Sequence, residues 1–392
     1  MGFGRRDGIP SYGEWAAGEQ GAGSRQRIGL FAVLFVGRLG YTDCMKLLLP
    51  PSHAAHWRDL LFLCCFAAWL GAAGHAWSDM QPARPAFLII DLSPGPETER
   101  YPVSDLDEAP EEGWPEEFRS THLVLRRIPT GSFLMGSPED ELGRRAHERQ
   151  REVMLRSDFY MGIFEVTQKQ WERVMGDWPS YFTNALYRET RPVEQVSWHD
   201  IRGRVDDAGL LFGTWPQSMA VAPASFMGRL RARTGLDGLD LPTEAQWEFA
   251  CRAGSTHALN TGFDLEDMQR DDNLAAAGRY WYNGGSAWSI AGSPETGTAE
   301  VGSYLPNAWG LYDMHGNIAE WCLDWYEPWP KATVDPPGAI TASSRVLRGG
   351  SWFHGARYCR SAHRDYYFPS HRGFSIGFRV ALNLPAPDDS AE

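Results

Sequence analysis

The segment Arg348 to Val380, RGGSWFHGARYCRSAHRDYYFPSHRGFSIGFRV, constrains this chain most, because it sorts into two interleaved sets of residues. Gly349, Gly350, Ser351, Arg357, Arg360, Ser361, Arg364, Pro369, Arg372 and the run Gly377-Phe378-Arg379 set backbone or brace loops through bidentate hydrogen bonds. Between them stand thirteen others: Phe353, His354, Gly355, Tyr358, His363, Asp365, Tyr366, Tyr367, Phe368, His371, Gly373, Phe374 and Ser375. This second set follows neither the alternation of a half-buried strand nor the 3.6-residue period of an amphipathic helix, so core packing does not account for its large rings. Rings on a braced frame, beginning at Trp352, predict a binding surface.

The chain has 392 residues and a net charge of -13. That balance argues against a nucleic-acid partner held through phosphates, which requires a basic face. Lysines are confined to Lys46, Lys169 and Lys331, so almost every positive charge is an arginine, the residue suited to bridging loops.

Composition divides the chain into a leader, a tether and one long body. The apolar run Leu60 to Ala73 follows Met45-Lys46 and Arg58 and precedes small residues at Gly74-His75-Ala76, the pattern of a secretory signal peptide over 45–76. The run is shorter than the roughly 20 residues that span a bilayer, so no stable membrane span is expected in the mature form. Residues 1–44 are read as an upstream extension with Met45 as the true start. N-terminal peptide mass spectrometry that found residues 1–44 would contradict this. Residues 77–121 are rich in Pro, Glu and Asp, the composition of an extended linker. The body follows over 122–384, with a tail at 385–392. Export leaves Cys251, Cys322 and Cys359 in an oxidising compartment, which predicts one disulfide and one buried thiol.

Within the body, Val124 to Ile128, Gly131 to Met135 and Phe159 to Val166 read as strands. Thr167 opens a helix that Gly176 stops, Ser197 opens one running toward Gly213, and Ala224 to Thr234 is a third ended by Gly235. Thr243 with Gln246 forms a capping box for a fourth. Phosphate loops, nucleophile elbows and paired-histidine zinc helices are absent from the sequence. His354, Cys359, His363 and His371 match no common metal spacing, His199-Asp200 reads as local hydrogen bonding, and His315 reads as a loop residue with no nucleophile beside it.

IPTGSFLMGS (128–137), EVTQKQW (165–171), RPVEQVSW (191–198), LPTEAQWEFACRAG (241–254), VGSYLPNAWGLYDMHGNIAEW (301–321), RGGSW (348–352) and GFRV (377–380) occur in order. Together they closely resemble the formylglycine-generating enzyme, or sulfatase-modifying factor, family. Asp240 departs from the family pattern, which has Arg there. The resemblance implies an irregular α+β body of the C-type lectin-like type with little regular secondary structure. It also implies a bound Ca2+, with Asp313 and Glu320 as side-chain ligands and Gly316 and Ile318 as carbonyl ligands. The family pattern brings the helix of Cys251 near the C-terminal segment, implying a Cys251 to Cys359 disulfide with Cys322 free.

Oxidising members of the family resemble one another in a copper-binding cysteine pair after the GGS turn. Here that stretch reads Phe353-His354-Gly355-Ala356, without the soft thiolates copper(I) prefers, so no copper is expected. The segment instead resembles members diversified by retroelements, in which adenine randomisation yields codons ending in a pyrimidine. Trp, Met, Lys, Gln and Glu lack such codons, and none occurs among the thirteen positions.

The expectation is an exported, non-catalytic protein, periplasmic, secreted or on the cell surface. It would bind a macromolecule, a protein or surface glycan, through Trp352 and the thirteen inter-frame residues. The alternatives are a sulfatase-modifying oxidase and a structural cell-envelope protein.

Overall fold

The computed structural model describes residues 84–204, 220–284, 296–328, 331–336, 338–339 and 342–384. The expected extension, signal peptide and C-terminal tail lie outside the described residues.

In chain order the strands are β1 (Phe87–Asp91), β2 (Val103–Leu106), β3 (His122–Ile128), β4 (Gly131–Met135), β5 (Arg151–Leu155), β6 (Phe159–Gly162), β7 (Leu239–Asp240), β8 (Ala319–Trp325), β9 (Arg345–Arg348), β10 (Asp365–Tyr367), β11 (Ile376–Gly377) and β12 (Ala381–Asn383). The helices are α1 (Glu117–Ser120), α2 (Gln168–Met175), α3 (Trp198–Arg202), α4 (Phe226–Thr234), α5 (Glu244–Arg252) and α6 (Asp272–Ala277). They assemble into a six-stranded sheet ordered β2-β1-β3-β6-β12-β7, a four-stranded sheet ordered β10-β9-β8-β11 and the hairpin β4-β5. Within the four-stranded sheet β11 pairs β8 in parallel, while β9 pairs both β8 and β10 antiparallel. The expected class, α+β with little regular structure, is the observed one.

Capping chemistry places the helices as the sequence implied. Thr167 and Gln170 close a capping box on α2, which ends at Gly176 with φ +87°. Thr243 and Gln246 do the same on α5. Ser197 and Asp200 cap α3, but that helix stops at Arg202, well before the expected end. The remainder of that prediction, 205–213, lies outside the described residues. Trp171 of α2 stacks on Phe226 of α4 at 5.3 Å, and the edge of Phe378 packs against Phe226 at 5.1 Å.

The linker expectation for 77–121 is corrected where the chain is described, from residue 84. β1 and β2 extend the large sheet at its edge, and β1 pairs β3 in antiparallel register from Phe87↔Arg126 to Asp91↔His122. Phe87, Ile90, Leu92 and Tyr101 are buried, and the Tyr101 hydroxyl donates to the Arg173 carbonyl at 2.7 Å. Each such apolar side chain contributes about 1.5–3 kcal/mol on burial. The run Phe87 to Ile90 was masked by the Pro and Glu content averaged around it.

Asp240, the family departure, is buried and accepts bonds from Arg202 Nε at 2.6 Å, Arg202 Nη2 at 2.8 Å and Arg231 Nη2 at 3.0 Å. Two guanidiniums therefore compensate the carboxylate.

A candidate ligand-binding face on the small sheet

The four-stranded sheet supplies the floor of a concavity of about 360 Å³. Ala319 of β8, Leu347 of β9, Ile376 of β11, and Asp365 and Tyr367 of β10 all line it. One wall is the loop after β9, through Phe353, His354, Gly355 and Tyr358; the other is the loop before β11, through His371, Gly373, Phe374 and Ser375. Its volume falls within the roughly 300–1,000 Å³ usual for ligand pockets. Ten of the thirteen inter-frame residues thus meet in one cavity.

The structure places the other expected site residues elsewhere. Trp352 is buried beneath the wall, donating through Nε1 to the Phe374 carbonyl at 3.2 Å and packing on Phe353 and Phe374 at 5.4 and 5.6 Å. His363 is buried against the edge of Tyr358 at 5.2 Å. Tyr366 turns away from the cavity and stacks on Tyr326 at 4.1 Å, because successive side chains on β10 alternate faces. Phe368 is exposed but does not line the cavity.

Beneath the exposed set, the frame is pinned to distant parts of the chain. Arg360 forks onto both oxygens of Glu148 at 2.8 Å, ion-pairs with Glu141 and donates to the Gly143 carbonyl at 2.8 Å. Arg364 Nη2 donates to Glu244 at 2.7 Å, Arg372 pairs with Asp200 at 2.6 Å, and Arg348 pairs with Glu248. Bidentate guanidinium bonds fix the loops that carry the rings. Gly350 has φ +71°, and a Cβ there would stand 2.5 Å from the Tyr358 carbonyl oxygen and 2.7 Å from Cys359 Sγ.

Burial lowers the pKa of His354 and of His371, and brings His363 down to about 4. These rings are neutral at neutral pH. His354 Nδ1 lies 3.0 Å from Ser351 Oγ, and the His371 ring stacks on Tyr367 at 4.2 Å. Asp365 is the one acidic residue among the lining set, which contains no Lys or Arg.

Several contributors were invisible to sequence reasoning. The floor residues Ala319, Leu347 and Ile376 come together only through strand pairing, as in the registers Asp365↔Leu347 and Ile376↔Ala319. Phe182 supports Trp352 edge-on at 5.3 Å, and Tyr181 lies 5.8 Å from Phe374. The backbone of exposed Trp281 donates to the His354 carbonyl at 3.0 Å, putting another segment against the wall. The dipeptide Trp281-Tyr282 before Gly284 was the available signal, and only its position gives it meaning.

The expected Cys251 to Cys359 disulfide is not formed. All three described cysteines, Cys251, Cys322 and Cys359, are free and buried. Cys251 Sγ approaches Ser361 Oγ at 3.6 Å, whereas Cys359 Sγ faces the Ser351 carbonyl at 4.0 Å, so the thiols have different partners. The expected proximity is nonetheless present, because His315 bridges the two regions. Its Nδ1 donates to the Cys359 carbonyl at 2.7 Å, and its Nε2 accepts the Asn260 N–H at 3.0 Å while lying 3.9 Å from Cys251 Sγ. Both ring nitrogens are therefore engaged, and burial brings this imidazole to about 4.

The loop expected to hold Ca2+ is tightly wound, with φ of +57° at Asp313, +89° at Gly316 and +55° at Asn317. Asp313 accepts the Gly302 N–H at 2.6 Å through Oδ2, while its buried Oδ1 has no hydrogen-bond partner. Glu320 is engaged by Arg379 at 2.6 and 2.7 Å and by Trp247 Nε1 at 2.8 Å. Glu165, also buried, accepts from Asn317 Nδ2 at 2.6 Å and Ile318 N–H at 3.2 Å. Burial, the Asp313 charge and the Glu320 charge push Glu165 well above the usual carboxylate range; burial brings Asp313 to about 6. The orphaned Asp313 oxygen is the one feature of this loop that an added cation would satisfy. Glu320 fits less well, because both its oxygens serve Arg379. Among the described residues, no group of three or more His, Cys, Asp or Glu side chains is arranged to hold a metal.

These features define a protein with a ring-lined face carried on a lectin-like body. Residues 113–384 match the family of the sulfatase-modifying factor enzyme 1-like domain, and the chain belongs to that family. Chaperone protein LppX of Paenibacillus barcinonensis is 29% identical over 241 residues, covering 57% of this chain and 80% of that protein. The formylglycine-generating enzyme of Streptomyces coelicolor is 33% identical over 217 residues, covering 52% of this chain but only 56% of the enzyme. Among solved structures, Treponema denticola variable protein 1 superposes with a TM-score of 0.53 at 28% identity, covering 68% of this chain and 96% of that one. The likeness to a variable protein agrees with the branch to which the C-terminal segment pointed.

Proposed function

We propose that this chain is an exported, non-catalytic ligand-binding protein whose C-terminal face is a diversified site of the retroelement type. The observation that carries the reading is the division of the segment Arg348 to Val380. The frame residues Arg360, Arg364 and Arg372 reach carboxylates far away in the chain, while ten of the thirteen inter-frame residues line one cavity. A face that must vary needs a support that does not depend on it, and a pre-organised support lowers the ordering cost of binding. The likeness to the T. denticola variable protein supports the same reading. The partner class is a macromolecule, a protein or surface glycan, rather than nucleic acid. No described helix is long and apolar enough to cross a membrane.

Calcium belongs to the proposal as a brace of the loop behind the small sheet. Asp313 with the carbonyls of Gly316 and Ile318 would hold it, and Glu320 would have to share its oxygens with Arg379.

The oxidase reading is the weaker one because of the thiols. Burial raises Cys251 and Cys359 to about 12 and Cys322 well above the ordinary thiol range, which disfavours the thiolate form a copper site uses. Copper-dependent oxidation of a sulfatase-derived cysteine peptide by the purified chain would overturn the proposal.

The direct test is a displayed peptide library panned against the full chain, with survivors retested on Phe353→Ala and Tyr367→Ala. Loss of binding by both variants is expected. Survivors indifferent to both would place recognition elsewhere. Encoding DNA without a nearby reverse transcriptase and a near-copy of this segment differing at adenines would remove the retroelement part alone.

A further inference from the structure

We propose that the cavity selects a ligand that inserts a single cationic group, a guanidinium or an ammonium, between its rings and Asp365. This rests on the reading of the face as a ligand site and specifies what that site takes. Phe353, Tyr367 and Phe374 line the cavity, with one face of Tyr367 covered by His371, and an aromatic ring attracts a cation placed over its free face. Asp365 adds a full negative charge on the floor strand.

The neighbouring arginines are already committed. Arg364 is bound to Glu244, Arg372 to Asp200, and Arg357 donates to the Tyr358 hydroxyl at 2.6 Å. Arg145 stands 5.1 Å over the Tyr358 ring, and neither it nor Arg357 lines the cavity. Among the described residues no ion pair engages Asp365; its Oδ1 accepts only the Tyr366 N–H, at 2.8 Å. The carboxylate is half-buried and therefore partly desolvated, which strengthens its attraction for an incoming cation. Of the two partner classes, a protein offering an exposed Arg or Lys fits this floor better than a neutral glycan.

The probes are agmatine as a free cation, a Gly-Ser pentapeptide with central Arg, the same peptide with citrulline, and a neutral methyl glycoside. Each is titrated into the full chain and into Asp365→Asn, with binding read by saturation-transfer NMR. The Arg peptide is expected to saturate and the citrulline peptide to bind roughly tenfold weaker or less, the scale of one charge-assisted hydrogen bond. Asp365→Asn should bring the Arg peptide down to the citrulline level. Binding of agmatine as well would show that a free cation suffices; binding of the peptide alone would assign the cation to a protein.

Equal binding of Arg and citrulline peptides, retention of the preference in Asp365→Asn, preference for the glycoside, or no saturable binding of either cation would each overturn the proposal. Those failures leave the binding face itself standing if panned ligands still depend on Phe353 and Tyr367.

Discussion

Arg360 has a fully buried side chain, and its guanidinium is shared between Glu141 and Glu148. Removing one member of such a network strands the others in low dielectric. Arg360→Met is expected to cost about 3–5 kcal/mol in urea unfolding, and an unchanged midpoint would show that the pair contributes nothing net. Asp324 carries the opposite electrostatic situation. Burial, with the nearby Glu244 charge, raises its carboxyl from the ordinary 3.8 to about 7. A raised pKa favours the protonated folded state, so this contribution is whole below 3.8 and disappears as pH rises through about 7. Asp324→Asn keeps an acceptor for the Glu244 N–H and removes the ionisation. Its melting temperature relative to wild type should therefore improve between pH 4 and pH 7, by thermal denaturation; a constant difference would contradict the assignment.

At the scale of the element, the loop after β9 mixes two kinds of residue that mutation should separate. Trp352 is wedged among Phe182, Phe353 and Phe374. Trp352→Ala should cost about 3–5 kcal/mol, the range for emptying a buried aromatic site. Phe353 is 42% exposed and Tyr367 43%, so either substitution by Ala should shift stability by less than about 1 kcal/mol while weakening ligand binding. Chemical denaturation of the three variants side by side decides it. The sequence showed the division into frame and inter-frame residues, because the Gly-Gly turn and the recurring arginines are local signals. It could not show that Tyr366 faces Tyr326 while its neighbours face the cavity, because a three-residue strand is too short for its alternation to stand out.

For the molecule as a whole, the central question is whether an ion completes the loop Asp313 to Glu320. Calcium in excess over a chelator should raise the melting temperature, and Asp313→Ala should abolish that response. An equal melting temperature in calcium and in EDTA would remove calcium from the account. Legibility at this scale was uneven. The capped helices and the family motifs were readable, since capping chemistry and turn glycines act within a few residues. The β1-β2 edge of the large sheet was not, because pairing Phe87–Asp91 with His122–Ile128 is a long-range choice made against the local Pro- and Glu-rich composition.

The sequence alone determined the family, the α+β class, the helix caps and the identity of the braced frame, all of which rest on local stereochemistry or ordered motifs. Tertiary structure decided which residues line the cavity, which carboxylates pin Arg348, Arg360, Arg364 and Arg372, and that Cys251 and Cys359 remain free thiols linked only through His315. Those outcomes depend on strand register and on contacts between residues far apart in the chain, as in Arg360 to Glu141, 219 positions apart. Long-range pairing is set by burying the whole chain at once, and local sequence does not encode it.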